Sequence, residues 1–142
     1  MALGRALGEQ AGAGDVVLLE GPLGAGKTVL VRGLAQGLGA GSAISPTFVL
    51  VRQHGEGRLP LVHADLYRLE ARAEIEALGL LELSADGVLA VEWADRAPWL
   101  RAGDRLRLGL RAGAEEGGRE IDVLDGPEHL VAALTAGAQQ WR

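Results

Sequence analysis

Residues 21 to 28 read GPLGAGKT: a glycine, four residues, then Gly-Lys-Thr. That spacing fits a phosphate-binding loop, in which glycines let backbone N–H groups turn inward around phosphates. A helix beginning at the end of the loop adds its positive dipole end, Lys27 supplies a compact charge, and Thr28 has a hydroxyl for magnesium. Lys27 is also the only lysine among 14 basic residues. Arginine replaces lysine freely on a solvated surface, but its planar fork does not fit where a small ammonium must sit under a phosphate chain. The competing reading is a glycine-rich turn that matches by accident, and the strand-then-helix flanks of the segment weigh against it.

A phosphate loop needs acids near it, and in an open α/β sheet ligands bind beyond the carboxyl ends of the strands. Asp65 closes the run PLVHAD and Glu92 closes VLAVE. One of the two could hold magnesium, directly or through water, while the other orients the attacking water. Each alone would equally suit a solvated strand end or a helix cap. Glu20 directly precedes the loop and reads as structural. In ISPTF, Pro46 forces Ser45 into an extended conformation and so fixes the approach of Thr47. That hydroxyl could sense a terminal phosphate as switch threonines do, or the segment is a rigid turn with Phe48 packed inward. The three histidines are scattered without ligand spacing, so His63 reads as a packing residue rather than a metal ligand. Trp99 and Trp141 read the same way. Arg68 could pair with a carboxylate, a phosphate or a partner.

The elements that must position these residues are visible as patterns. ALGRALGEQAGA places Leu3 and Leu7 one helical turn apart; DVVLLE is a strand-length apolar run; TVLVRGLAQGLG has Leu30, Val31, Leu34 and Leu38 at helical spacing. TFVLVRQH and PLVHADLY are strands separated by the turn GEGR, EARAEIEALGL is an acidic helix with a glycine near its end, and GVLAVEW is a further apolar strand. RLRLGLR then alternates strictly and pairs with REIDVL across AGAEEGG, and PEHLVAALTAG closes as a helix with proline at its start. Continuous apolar runs imply strands covered on both faces, and the alternating pair implies a half-exposed antiparallel addition. The expected fold is α/β, a P-loop NTPase with a mostly parallel central sheet flanked by helices and an antiparallel C-terminal hairpin, in one domain over residues 1–142.

A net charge of −5 with no long basic run argues against autonomous binding to nucleic acid or a membrane surface. The apolar runs are too short to span a bilayer, there is no signal-peptide pattern, and without cysteine there is no disulfide framework. A cytoplasmic protein is expected.

In order and spacing, GPLGAGKT, SPTF, HADLYRL, VEW and GRE resemble the TsaE family, the small bacterial ATPases of tRNA threonylcarbamoyladenosine biosynthesis. The resemblance covers nearly the whole chain, and the single Phe and single Tyr, Phe48 and Tyr67, fall inside its motifs. It implies that Leu23, Gly24, Ala25, Gly26, Lys27 and Thr28 bind ATP, that Thr28 and Glu92 coordinate Mg2+, and that Asp65 and Thr47 serve hydrolysis with Lys27. Trp93, Gly118 and Arg119 would lie near the nucleotide. Pro22 departs from the family, which usually has an acidic residue there. The implied partners are the threonylcarbamoyl transferase subunit and its paralogous scaffold subunit, with tRNA reached only through the complex.

Independently of the family, guanine-specific P-loop proteins generally read the base with Asn-Lys-x-Asp, and this chain has no Asn and no second Lys. Adenine is therefore favoured. A small-molecule kinase shares the loop and the size, but it needs an arginine-bearing lid, and the only lid-like stretch, RAPWLRAGDR, is short. A nucleotide-gated binding module without useful turnover is a third reading.

Overall fold

The computed structural model describes residues 2–22, 26–40, 51–69, 71–113 and 119–140. The chain begins with helix α1 (Ala2–Gln10), strand β1 (Val16–Glu20) and helix α2 (Lys27–Leu38), followed by the antiparallel strands β2 (Val51–His54) and β3 (Leu61–Asp65). Two short helices, α3 (Arg72–Glu76) and α4 (Leu80–Leu83), lead into β4 (Val88–Glu92). Two one-turn 3-10 segments, Ala94–Arg96 and Pro98–Arg101, then precede β5 (Leu106–Ala112), β6 (Arg119–Asp125) and the last helix, α5 (Glu128–Gln140).

The strands form one sheet in the order β2-β3-β4-β1-β5-β6. Its four central strands run parallel, and each edge carries one antiparallel strand. The expected mostly parallel sheet with an antiparallel C-terminal pair is therefore present. The acidic stretch expected to be one helix is two, because the chain turns at Gly79, which has φ 61°. The break lets Ile75 and Leu80 both reach the sheet from separate segments.

Side chains alternate across a strand, so β1, β3 and β4 each feed two cores, while β5 feeds only the first. Val17, Leu19, Leu61, Ala90, Leu106 and Leu108 face one way, onto Leu7 of α1, Leu30, Leu34 and Leu38 of α2, and Leu130 of α5. Val16, Leu18, Val62, Ala64, Leu89 and Val91 face the other way, onto Ile75, Leu80, Ala94 and Leu100. This two-sided burial explains why β1, β3 and β4 read as unbroken apolar runs, and the one-sided burial of β5 explains why it alternates.

α1 and α2 touch backbone to backbone. A Cβ on Gly8 would lie 2.2 Å from the Leu34 carbonyl oxygen, so no larger residue fits there without moving a helix. The turn between β2 and β3 fastens the far ends of both helices. Arg58 donates from Nη2 to the carbonyls of Gly8 at 2.8 Å and Ala11 at 2.7 Å, and its backbone N–H donates to Leu38 O at 2.6 Å. Helix ends leave carbonyls without partners, and this turn supplies donors to two helices at once.

Candidate functional site

β1, β3 and β4 end together. The parallel register sets Asp65 beside Glu92 and Leu19 beside Glu92, so Glu20, Asp65 and Glu92 line one carboxyl edge. α2 rises from the same edge with Lys27 as its first residue. Before it stands Gly26 at φ 99°, a left-handed conformation that side-chain-bearing residues rarely adopt. Glycine at this point lets the chain turn from the loop straight into the helix, so that Lys27 and Thr28 sit in its first turn.

Lys27 as a whole is 5% exposed. Its Nζ donates to the carbonyls of Gly21 at 2.5 Å and Pro22 at 2.9 Å, and lies 4.1 Å from the ring centroid of Trp93. Burial lowers its pKa below the ordinary lysine value, while the charges of Glu92, Asp65 and Asp95 pull it back up. Thr28 donates its hydroxyl to Glu92 Oε1 at 2.9 Å. The other oxygen of Glu92, Oε2, lies 2.5 Å from His63 Nε2. Both carboxylate oxygens are thus engaged, and Glu92 is 3% exposed.

Asp65 is less enclosed. Its Oδ1 accepts the backbone N–H of Tyr67 at 2.9 Å. Burial raises its pKa above the usual carboxylate value, and Glu92 adds to the rise, while the Tyr67 N–H, His63 and Lys27 oppose it. The structure brings Lys27, Thr28, Asp65 and Glu92 to one edge, with Trp93 following Glu92.

Trp93 is the one non-glycine residue at positive φ among the described residues, at 58°. That turn lays its ring over Lys27 and 4.8 Å from the ring of Tyr67. The Arg96 guanidinium sits 6.0 Å from the Tyr67 ring centroid and donates to Leu69 O at 3.3 Å. Glu20 is held elsewhere, by Arg101 at 2.5 Å and Arg107 at 3.6 Å. Trp99 packs half-buried against the second core, with the Arg72 guanidinium 4.5 Å from its ring centroid.

Leu23, Gly24, Ala25, Thr47 and Gly118 lie outside the described residues, as does Trp141 and the side chain of Arg119. The backbone of Arg119 opens β6 opposite Ala112, three residues along β5 from Gly109, which pairs with Glu20. Arg119 therefore stands beyond the edge on which Lys27 sits. The contact between His63 and Glu92 was not read from the sequence. Its signal was the two-residue spacing from Asp65, which in a strand puts both side chains on one face.

Among the described residues no three His, Cys, Asp or Glu side chains converge on a cation site. The Thr28 hydroxyl and the Glu92 carboxylate are hard oxygen donors and adjacent. They suit magnesium, which takes few protein ligands and completes its shell with water and phosphate oxygens.

Comparison with known proteins adds to this geometry. The family model described as "Threonylcarbamoyl adenosine biosynthesis protein TsaE" matches residues 1–121. A protein of Nostoc sp. named tRNA threonylcarbamoyladenosine biosynthesis protein TsaE is 44% identical over 128 residues, 85% of this chain and 76% of that protein. Proteins of the same name from Streptomyces coelicolor and Bacillus subtilis are 50% and 46% identical over 111 residues each, covering 75% and 76% of this chain and 74% and 68% of theirs. Among solved structures, the crystal structure of YdiB from Bacillus subtilis superposes with a TM-score of 0.74 at 29% identity, covering 99% of this chain and 88% of that one.

Proposed function

This chain belongs to the TsaE family, and from that premise we propose that it is a magnesium-dependent ATPase serving the synthesis of threonylcarbamoyladenosine in tRNA. The observation that carries the reading is the pairing of Thr28 with Glu92 at 2.9 Å beside the buried Lys27, at the start of α2. Bound ATP would supply the phosphoanhydride to be cleaved, together with its magnesium.

The residues of the chain act around it. Lys27 gives up the carbonyls of Gly21 and Pro22 and donates to phosphate oxygens, and the N-terminus of α2 adds its dipole. Thr28 and Glu92 hold the cation from the protein side. Asp65, with a carboxyl that retains affinity for a proton, orients the attacking water and takes its proton. Energy from hydrolysis resets a threonylcarbamoyl-transferring assembly made of the transferase subunit and its paralogous scaffold, in the cytoplasm. The carbamoyl chemistry happens on those subunits, and tRNA is met only through them.

The kinase reading is weakened by the stretch after Trp93. Its Ala94, Ala97 and Leu100 are buried in the second core, which fixes the segment in place rather than leaving it to close over an acceptor. The test is steady-state hydrolysis of ATP and GTP by the purified chain, with and without the two partner subunits. We expect slow, ATP-selective turnover that the partners accelerate. Tighter binding of GTP, or phosphoryl transfer to a metabolite in an acceptor screen, would overturn the reading.

A further inference from the structure

We propose that His63 is a positioning residue for magnesium, acting through Glu92 and touching neither nucleotide nor metal; the proposal rests on the ATPase reading above. His63 occupies the middle of β3 and is 0% exposed. Alternation along β3 and β4 puts it on the face shared by Leu61, Ala90 and Asp65, and its register partner Ala90 carries only a methyl group. The imidazole extends along this face to Glu92 Oε2 at 2.5 Å. Nε2 must carry the hydrogen there, since a bare lone pair would face a carboxylate oxygen.

The two oxygens of Glu92 are thereby assigned. Oε2 is fixed by His63 from within the sheet, and Oε1 is left to meet Thr28 at 2.9 Å. A buried carboxylate held at one oxygen cannot rotate to present the other edge. The cation side of the site is therefore set by a residue that never reaches it, an arrangement known to matter where outer groups orient metal ligands. Packing alone does not account for the imidazole. Among the described residues its buried Nδ1 has no hydrogen-bond partner, a cost that leucine in the same apolar layer would avoid. Glu92 is the one hydrogen-bond partner of the ring among the described residues.

The experiment measures ATP affinity by calorimetry, in magnesium and in EDTA, for the full chain and for His63→Leu, His63→Gln and His63→Asn. The glutamine amide nitrogen reaches the place of Nε2, whereas that of asparagine stops near Nδ1. We expect the magnesium-dependent gain in affinity to fall about tenfold in His63→Leu and His63→Asn, at the low end of what loss of an outer-shell partner costs. It should return to within about threefold of the parent in His63→Gln, with affinity in EDTA unchanged throughout. A parent-like magnesium gain in His63→Asn overturns the proposal. So does a parallel loss in magnesium and EDTA in all variants, which would mark a purely structural role. Should His63→Leu fail to fold, the Gln and Asn pair decides alone. If the parent itself gains nothing from magnesium, the ATPase reading falls first and takes this proposal with it, a result distinct from losses confined to the variants.

Discussion

Lys27→Ala removes the buried ammonium that the proposed function aims at the phosphates, and it should weaken ATP binding at least tenfold. The contact proposed there would be a charge-assisted hydrogen bond, of the kind whose net value is about 1.5–3 kcal/mol; calorimetry with the parent as reference reads it. Asp65 carries a prediction with a sign. Its carboxyl is held above the usual range by burial first and by Glu92 next, so the folded state binds this proton more tightly than the unfolded chain. That contribution to stability is present in acid and is lost as pH rises through the folded pKa. Asp65→Asn keeps an oxygen for the Tyr67 N–H and removes the charge. It should raise the Tm at pH 7, lose that advantage below about pH 4, and still bind ATP while hydrolysing it at least a hundredfold more slowly. Melting curves at the two pH values and turnover at pH 7 check both halves, and parent-like turnover would end the role given to Asp65. Asp65 and Glu92 could be picked out in the sequence because acids that end apolar runs stand out. His63 could not: one histidine inside such a run looks like packing until the next strand brings a carboxylate to it.

The glycines of α1 make the interior of a helix behave against its propensity. Alanine is normally better than glycine in a helix by about 1 kcal/mol. At Gly8 the added methyl would meet Leu34 O at 2.2 Å, so Gly8→Ala should destabilise by about 1–3 kcal/mol, the usual cost of overpacking. Chemical denaturation of the variant beside one with alanine at an exposed helical position gives the comparison. A gain in stability would mean that α1 and α2 do not meet as described. Arg58→Ala removes donors from carbonyls at the end of α1 and should cost about 1–2 kcal/mol with nucleotide affinity unchanged. The elements themselves were legible: the apolar runs became the central strands, the turn GEGR became the β2–β3 connection, and RLRLGLR with REIDVL became the outer pair. Gly79 was visible too. What the sequence did not show was that Leu80 has its own place in the second core, which turns a glycine near a helix end into a break between two helices. Nor does any local pattern announce Arg58, whose acceptors lie 47 and 50 residues away.

At the scale of the molecule, three arginines among the described residues are already engaged in holding the fold together. Arg101 and Arg107 are committed to Glu20, and Arg96 to Leu69 O and the Tyr67 ring. An arginine delivered by a partner can be worth about a thousandfold or more; we expect acceleration of that order from the assembled subunits, and a high basal rate that the partners leave unchanged would refute it. The ring of Trp93 over the ammonium of Lys27 has an optical consequence as well. An indole's emission depends on the charges beside it, and nucleotide that draws this ammonium away changes the light the protein gives out. Of the other two tryptophans, Trp99 lies on the second core with the Arg72 guanidinium 4.5 Å from its ring centroid, and Trp141 falls outside the described residues. Titration with ATP should therefore shift the fluorescence of the unlabelled protein and leave that of Trp93→Phe unmoved, so the molecule reports the filling of its own site.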